Sequence, residues 1–143
     1  MFSHIMVLCV GNICRSPMGE AILAARVKQR GIVVESAGIG ALTGHPADPL
    51  AVELLAELGL DISNHRARQL SEEMARPADL MLVMEQWHQK EIERMLPMCR
   101  GRVHLFGKWG NFIVPDPYRQ PRRAFERALT LIEQGAAEWE AKL

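Results

Sequence analysis

The segment Cys9–Pro17, CVGNICRSP, combines residues that can bind an anion with a residue that can attack one. An apolar run typical of a buried strand precedes it, and Pro17 suits the first turn of a following helix. A loop between a strand and a helix directs successive backbone N–H groups toward one point, where the helix N-terminus adds partial positive charge. Gly11 and Asn12 tolerate the left-handed backbone angles that such a tight loop requires. We therefore predict an anion-binding loop made of Val10, Gly11, Asn12, Ile13, Cys14, Arg15 and Ser16.

Cys9 and Arg15 stand in C-x5-R spacing, which brings a thiol and a guanidinium to the same loop. The donors that bind an anion also stabilise a thiolate, so Cys9 can attack the phosphorus of a bound phosphoester in line and form phosphocysteine. Arg15 offers paired donors to two oxygens of a phosphate or arsenate, and Ser16 can donate to the thiol. The alternative is that Cys9 and Cys14 are small apolar residues at a strand end. The C-x5-R spacing favours the nucleophile.

Other uses of cysteine-containing loops fit less well. No second close pair of Cys or His completes four zinc ligands, and the segment does not match the nucleotide-binding pattern G-x-x-x-x-G-K-[ST]. Three cysteines are an odd number and too few for a disulfide scaffold, so we expect reduced thiols in a cytoplasm. We expect no cofactor and no metal.

The elements that must position this loop alternate along the chain. Apolar runs at 5–10, 32–34, 80–84 and 103–106 predict four short strands. Helices are predicted after Pro17, from the N-cap Asp48 to Leu58, and at 72–76, 86–95 and 124–143. Such alternation predicts a single α/β domain over residues 1–143, with a four-stranded parallel sheet flanked by helices on both faces. Ligands are then expected at the carboxyl ends of the strands.

The composition excludes several classes of protein. The 143 residues are 48% hydrophobic and 24% charged, a balance typical of a globular domain rather than a disordered chain. Seventeen Lys and Arg against seventeen Asp and Glu give a net charge of zero, so we expect no nucleic-acid partner held by bulk charge. No apolar run approaches the roughly 20 residues that cross a bilayer, and the first ten residues lack a basic secretory region. We expect a cytoplasmic protein with no membrane insertion.

The motif C-x4-C-R-S-P in Cys9–Pro17 resembles the signature of the low-molecular-weight protein tyrosine phosphatases. Further landmarks follow in that family's order, namely Ser36-Ala37-Gly38, Asp48-Pro49, His65 with Arg66-Ala67-Arg68, and Asp116-Pro117-Tyr118. These landmarks extend from position 9 to position 118, so the resemblance covers nearly the whole chain. It implies a flavodoxin-like fold of the phosphotyrosine phosphatase I type, which agrees with the elements predicted above.

The resemblance also assigns an acid and the walls of a substrate cleft. Asp116 corresponds to the carboxyl group that protonates the leaving phenolate and then serves as base for the hydrolytic water. Without the resemblance, Asp116 beside proline would indicate only a solvated turn. Tyr118, the single tyrosine of the chain, resembles the aromatic wall against which the substrate ring stacks. Leu42 resembles the bacterial pattern of the second rim, and Ile13 is expected to complete the wall.

Other residues correspond to groups that support or protect the loop. We expect a hydrogen-bond network that holds the loop in shape, made of Asn12, Ser16, Ser36 and His65. Cys14 is predicted to protect Cys9 from overoxidation, because a neighbouring thiol can trap sulfenic acid as a reducible disulfide. The alternative is that Cys14 merely packs.

The resemblance implies hydrolysis of protein phosphotyrosine, with inorganic phosphate as product. The bacterial rim resembles members that act on tyrosine autokinases controlling capsule or exopolysaccharide production, so such an autokinase is the expected partner.

Three alternatives remain open. A thioredoxin-coupled arsenate reductase shares the fold but needs two further cysteines, and only Cys99 lies beyond the loop. A protein arginine phosphatase is the second alternative, and in phosphoarginine-specific relatives the position of Ile13 resembles a threonine. An inactive phosphotyrosine-binding domain is the third, but it would be expected to lack Cys9 or Asp116.

Arg119, Arg122 and Arg123 form a basic cluster just after Asp116. Such a cluster is either a solvated helix start or a contact for acidic or phosphorylated substrate segments.

Overall fold

Four parallel strands form the central sheet of the computed structural model, which describes residues 2–143 and leaves out Met1. The strands are β1 (His4–Cys9), β2 (Val33–Gly38), β3 (Leu80–Val83) and β4 (Val103–Leu105). Their order across the sheet is β2-β1-β3-β4, and every neighbouring pair is parallel. The chain therefore turns to one side of β1 for β2 and to the other side for β3. Such a reversal of direction opens a crevice at the carboxyl end of the central strand, where Cys9 lies.

Five α-helices connect or follow the strands. They are α1 (Arg15–Val27), α2 (Pro49–Glu57), α3 (Glu72–Ala75), α4 (Gln86–Met95) and α5 (Arg122–Glu140), with short 3-10 turns at Lys28–Arg30 and Pro97–Cys99. The predicted cap of α2 is confirmed, because the Asp48 carboxylate accepts from the Leu50 amide at 2.9 Å. Among residues 2–143, none of the helices has both the length and the apolar character needed to span a membrane.

Alternation along β1 divides the core between the two faces of the sheet. Ile5 and Val7 point to the face covered by α1, α2 and α5, whereas Met6 and Leu8 point to the face covered by α3 and α4. All four side chains are completely buried. The predicted α/β architecture with helices on both faces of a four-stranded parallel sheet is confirmed.

One element boundary near the loop differs from the prediction. The second strand continues to Gly38 rather than ending at Val34, because Ser36, Ala37 and Gly38 pair with Val7, Leu8 and Cys9 of β1. The small residues of this strand are not typical of strands in sequence, but they let it approach the loop. A Cβ atom at Gly38 would lie 2.4 Å from the carbonyl oxygen of Val10. The first helix begins at Arg15, two residues before Pro17, so Pro17 lies in its first turn as predicted, together with Arg15 and Ser16.

Candidate active site

The backbone carbonyl groups of the loop after β1 are all hydrogen-bonded within the chain. Each carbonyl from residue 9 to residue 14 accepts one hydrogen bond. Five of the donors are backbone amides, which bond Cys9 from Ile39 at 2.9 Å, Val10 from Gly40 at 3.0 Å, Gly11 from Leu42 at 3.1 Å, Ile13 from Asp48 at 2.8 Å and Cys14 from Met18 at 3.2 Å. The sixth donor is a side chain, because the Asn12 carbonyl accepts from His65 Nε2 at 2.7 Å. The amides of residues 10–15 donate to no other residue within the described range 2–143. Amides left free beside a helix N-terminus form a binding site for an anion.

Asn12 holds the loop in this shape. Its φ of 60° is left-handed, a conformation that is unfavourable for most residues and tolerated by asparagine. The fully buried side chain donates from Nδ2 to Ser16 Oγ at 2.7 Å and to Ser36 Oγ at 3.0 Å, and Oδ1 accepts from the Arg68 amide at 3.0 Å. Since the Asn12 carbonyl can only accept, His65 carries a proton on Nε2. The predicted network of Asn12, Ser16, Ser36 and His65 lies together in the structure.

The direction of each hydrogen bond in this network follows from its ends. The Ser36 hydroxyl donates to the Glu20 carboxylate, so its oxygen accepts from Asn12. Ser16 Oγ also accepts from Asn12, which leaves its own proton free for Cys9 Sγ, 2.9 Å away. A thiolate at Cys9 has no proton and can only accept, so in that state the Ser16 hydroxyl donates to the sulfur. A thiolate at Cys9 would be stabilised by that hydrogen bond.

Arg15 is almost completely buried beside the loop, with one edge of its guanidinium already bonded. Nη1 donates to a carboxylate oxygen of Glu85 at 2.6 Å and to the Val114 carbonyl at 2.8 Å. Nη2 lies 3.8 Å from a carboxylate oxygen of Asp116. The edge formed by Nε and Nη2 is therefore available to two oxygens of an anion in the loop.

Asp116 lies in the loop between β4 and α5, with its side chain half-exposed at the mouth of the crevice. Its Oδ1 accepts from the Tyr118 amide at 3.0 Å, and its Oδ2 is the oxygen nearest to Arg15. This turn fixes the spacing between the carboxylate and the Tyr118 ring. A carboxylate at this position can exchange a proton with a group bound above the loop.

The crevice above Cys9 is a cleft with apolar sides. Ile13, Leu42 and Tyr118 line it, as do Val10, Gly11, Cys14 and Gly40 around the loop, and Asp116 and Arg15. Leu42 and Tyr118 are each 38% exposed, whereas Ile13 is 9% exposed and also belongs to the core. Two apolar walls around an anion-binding floor suit a flat ring that carries a charged group.

Cys14 faces the same cleft as Cys9 but is held in a different environment. Burial raises the pKa of the Cys14 thiol far above its usual range, and the nearby Asp48, Cys9 and Asp116 raise it further. Cys14 is therefore a protonated thiol near neutral pH.

Glu85 and His88, at the start of α4, form a support that the sequence analysis did not identify. Glu85 binds Arg15, and its amide donates to His88 Nδ1 at 3.2 Å. Burial lowers the pKa of His88 to about 4, and the positive charge of Arg15 lowers it as well. His88 Nε2 has no hydrogen-bond partner among residues 2–143. Glu85 follows β3 almost directly, and residues at the carboxyl ends of parallel strands often belong to a site. That position was the one feature of the sequence that could have identified Glu85.

This loop, at the carboxyl end of a central parallel strand with a thiol at its base, defines an α/β protein built to hold an oxyanion against a cysteine. The chain belongs to the low molecular weight phosphotyrosine protein phosphatase family, whose model matches residues 4–143. The resemblance seen in the sequence is thereby confirmed at the level of the family.

Individual relatives agree with this assignment. The chain is 48% identical over 139 residues to the probable low molecular weight protein-tyrosine-phosphatase EpsP of Ralstonia nicotianae, covering 97% of this chain and 94% of the relative. The structure of Vibrio vulnificus Wzb in complex with benzylphosphonate superposes with a TM-score of 0.96 at 42% identity, covering 100% of both chains. The arginine phosphatase YwlE from Geobacillus stearothermophilus superposes with a TM-score of 0.91 at 30% identity, covering 98% of this chain and 92% of that one.

Proposed function

We propose that this chain hydrolyses phosphotyrosine in proteins through a phosphocysteine intermediate. The observation that carries the proposal is the loop itself, whose carbonyls from residue 9 to residue 14 are all bonded, whose amides have no partner among residues 2–143, and which lines the same cleft as Cys9. Such a floor stabilises the negative charge of a phosphoryl group as it is transferred. The relatives named as protein-tyrosine phosphatases support the choice of substrate.

In the first step, Cys9 Sγ attacks the phosphorus atom and the bond between phosphorus and the tyrosine oxygen breaks. Arg15 and the loop amides hold the equatorial oxygens of the phosphoryl group, and Ser16 donates to the thiolate before attack. Asp116, in its protonated form, gives its proton to the departing phenolate. The products of this step are phosphocysteine and the dephosphorylated tyrosine side chain of the substrate protein.

In the second step, water attacks the phosphorus of phosphocysteine and the bond between phosphorus and sulfur breaks. Asp116, now a carboxylate, takes a proton from the attacking water. Inorganic phosphate leaves and the Cys9 thiolate is restored, hydrogen-bonded again to Ser16. In both steps the nucleophile, the acid and the base that the protein supplies are its own side chains, Cys9 and Asp116.

The walls of the cleft support phosphotyrosine over other phosphoamino acids. Ile13, Leu42 and Tyr118 offer apolar surface at the height of an aromatic ring, with no polar contact from Ile13. Phosphoserine and phosphothreonine have short side chains, which would leave their phosphorus above the floor. The similarity to an arginine phosphatase makes phosphoarginine the second candidate, and Ile13 is the residue that argues against it.

A bacterial tyrosine autokinase controlling capsule or exopolysaccharide production is the proposed protein substrate, in the cytoplasm. The support is the similarity to Wzb, Etp and EpsP.

The arsenate reductase alternative lacks support, because Cys99 precedes the edge strand β4, at the amino end of the parallel sheet, whereas Cys9 lies at the carboxyl end of β1. A relay of disulfides out of the cleft therefore has no second thiol pair to pass through.

The deciding experiment compares Cys9→Ser with Cys99→Ser, which removes a buried thiol far from the loop. Turnover of a phosphotyrosine peptide should vanish in Cys9→Ser, while inorganic phosphate should still bind, because the amides and Arg15 remain. Acid quench of the unaltered protein during turnover should trap phosphate on the peptide that contains Cys9. Appreciable hydrolysis by Cys9→Ser would overturn the covalent mechanism. Faster hydrolysis of phosphoarginine than of phosphotyrosine would overturn the assignment of phosphotyrosine as the substrate.

A further inference from the structure

Three arginines beside the cleft have no acidic partner. Arg119, Arg123 and Arg127 are exposed and form no ion pair among residues 2–143. Arg122 behaves differently, since it binds Glu53, Glu57 and Glu126 at 2.9, 2.8 and 3.1 Å and so ties α2 to α5. We call Arg119, Arg123 and Arg127 the arginine face.

The arginine face continues the wall of the cleft. The Arg119 guanidinium carbon lies 5.3 Å from the centroid of the Tyr118 ring, and its backbone takes a left-handed φ of 64°. Arg123 and Arg127 are one helical turn apart on α5 and line a groove that starts at Gln120 and Pro121. A segment leaving the cleft past Tyr118 would thus meet Arg119 first, and the groove of Arg123 and Arg127 begins at the residues that follow Arg119 in the chain.

Stability does not explain these residues. Arg123 lies in the first turn of α5, which contains no acidic residue and where the helix dipole already adds positive charge. Arg123 and Arg127 repel each other at i, i+4 spacing. The chain as a whole has no net charge, so this face holds a local excess of positive charge. Local arrangements that oppose stability in this way are characteristic of sites that bind a partner.

We propose that the arginine face binds a segment rich in aspartate and glutamate that adjoins the phosphotyrosine of the substrate protein. The proposal rests on the proposed function, since it extends the same cleft. Guanidinium groups pair with carboxylates, and charge complementarity of this kind guides association and selects partners. Arg123 and Arg127 lie one helical turn apart along a groove, and Arg119 lies against the Tyr118 ring. Positive charges spread along the surface in this way fit several carboxylates along a chain better than one further phosphate group.

The test measures kcat/KM for two phosphotyrosine peptides that differ only in their flanking residues, Asp and Glu in one and Asn and Gln in the other. The unaltered protein is compared with Arg123→Gln/Arg127→Gln. The control is Lys28→Gln/Arg100→Gln, which removes two exposed cations that precede β2 and β4, at the amino end of the sheet and away from the cleft. Para-nitrophenyl phosphate, which has no flanking segment, reports the chemistry alone.

We expect the unaltered protein and the control to prefer the acidic peptide by about fivefold, because exposed ion pairs are individually weak but act together here. The preference should shrink at high salt and fall below about twofold in Arg123→Gln/Arg127→Gln, with para-nitrophenyl phosphate turnover unchanged. Equal kcat/KM values for the two peptides in the unaltered protein would overturn the binding role of the arginine face and would leave the proposed function unaffected. Absence of turnover on every substrate would overturn the proposed function. A third peptide carries a second phosphotyrosine in place of the acidic flank, and a stronger preference for that peptide would overturn the choice of carboxylates.

Discussion

Arg15 donates through Nη1 to the Glu85 carboxylate at 2.6 Å, although the two residues are 70 positions apart in the chain. The same nitrogen also reaches the Val114 carbonyl at 2.8 Å. With one edge of the guanidinium fixed in this way, the other edge has a single orientation toward the loop. Glu85 therefore acts on the anion through Arg15, as a positioning residue.

Replacing Glu85 with Gln should weaken this positioning while keeping an acceptor of similar size. We expect kcat/KM for aryl phosphates to fall about tenfold, since hydrogen bonds to charged groups contribute roughly 1.5–3 kcal/mol. Glu91→Gln is the matched control, because Glu91 also pairs with an arginine on α4, Arg94, but on the exposed face. The affinity for inorganic phosphate should fall in parallel, and an unchanged affinity would contradict the positioning role. Thermal unfolding separates this effect from a change in stability, because Glu85 is also the N-cap residue of α4.

Replacing Asp116 with Asn should reduce kcat according to the basicity of the leaving group. A proton donor matters most for a basic phenolate, so we expect losses of about 10²-fold or more for unactivated phenols and much smaller losses for activated ones. Asp61→Asn provides the control, because Asp61 also accepts from the amide two residues later, at 2.8 Å, in an exposed loop. Equal losses across a series of leaving groups would remove Asp116 from the acid role.

Cys14 should determine whether oxidation of Cys9 is reversible. Peroxide converts the Cys9 thiolate to sulfenic acid, and attack by Cys14 displaces the oxygen as water and forms a disulfide that dithiothreitol reduces. We expect activity to return after dithiothreitol in the unaltered protein and in Cys99→Ser, but not in Cys14→Ser. Since burial raises the pKa of Cys14, disulfide formation should become faster as pH rises. Equal recovery in all three proteins would mean that Cys14 only packs.

Replacing Ile13 with Thr should shift specificity between two phosphoamino acids. The apolar Ile13 contacts the cleft where a substrate ring would lie, and a hydroxyl there would favour a polar guanidinium. We expect the unaltered protein to prefer phosphotyrosine to phosphoarginine by at least about tenfold in kcat/KM, roughly 1.4 kcal/mol. The variant should gain on phosphoarginine relative to phosphotyrosine. An unchanged ratio would assign specificity to Leu42 and Tyr118 instead.

His88 should make the fold sensitive to acid. Its pKa lies near 6.5 in the unfolded chain and at about 4 in the folded protein, so between these values the unfolded state binds the additional proton. Stability attributable to His88 is therefore complete above pH 6.5 and is lost as pH falls, by about 3 kcal/mol at pH 4. In His88→Asn, which keeps an acceptor near the Glu85 amide, urea unfolding should show a shallower dependence on pH. The exposed His45→Asn should retain the full slope, and identical slopes in all three proteins would contradict the assignment.

Local patterns in the sequence were sufficient for the architecture. The apolar runs around Val7 and Leu82 predicted buried strands because parallel strands covered on both faces need apolar residues at every position. Asp48 and Pro49 predicted the start of α2 because capping depends on residues adjacent in the chain. The second strand was predicted too short, since Ser36, Ala37 and Gly38 have neither β-branched nor large apolar side chains.

The candidate site was only partly predictable from the sequence. Groups of residues close together in the sequence could be predicted, whereas contacts between residues far apart in the sequence could not. Cys9, Arg15 and Ser16 are neighbours in the sequence, so their spacing carries chemical information. Glu85 and the Val114 carbonyl reach Arg15 from 70 and 99 positions away, and their contact depends on how β3 and the loop before Asp116 pack. Glu20 was also missed, since its bond to Ser36 joins α1 to β2 across the fold. The roles given to Cys9, Arg15 and Asp116 stay predictions that the experiments above test.

The bonded carbonyls of the loop make anion affinity a property of the whole fold. Their partners are contributed by positions 18, 39, 40, 42, 48 and 65, so the loop cannot take its shape while those segments are unfolded. An oxyanion must then bind the native chain in preference to the unfolded one, which couples binding to folding by mass action. At a free concentration one hundred times its dissociation constant, such an anion adds about 2.7 kcal/mol to the free energy of unfolding. Inorganic phosphate, the product of the proposed reaction, would then protect the protein from denaturation and proteolysis.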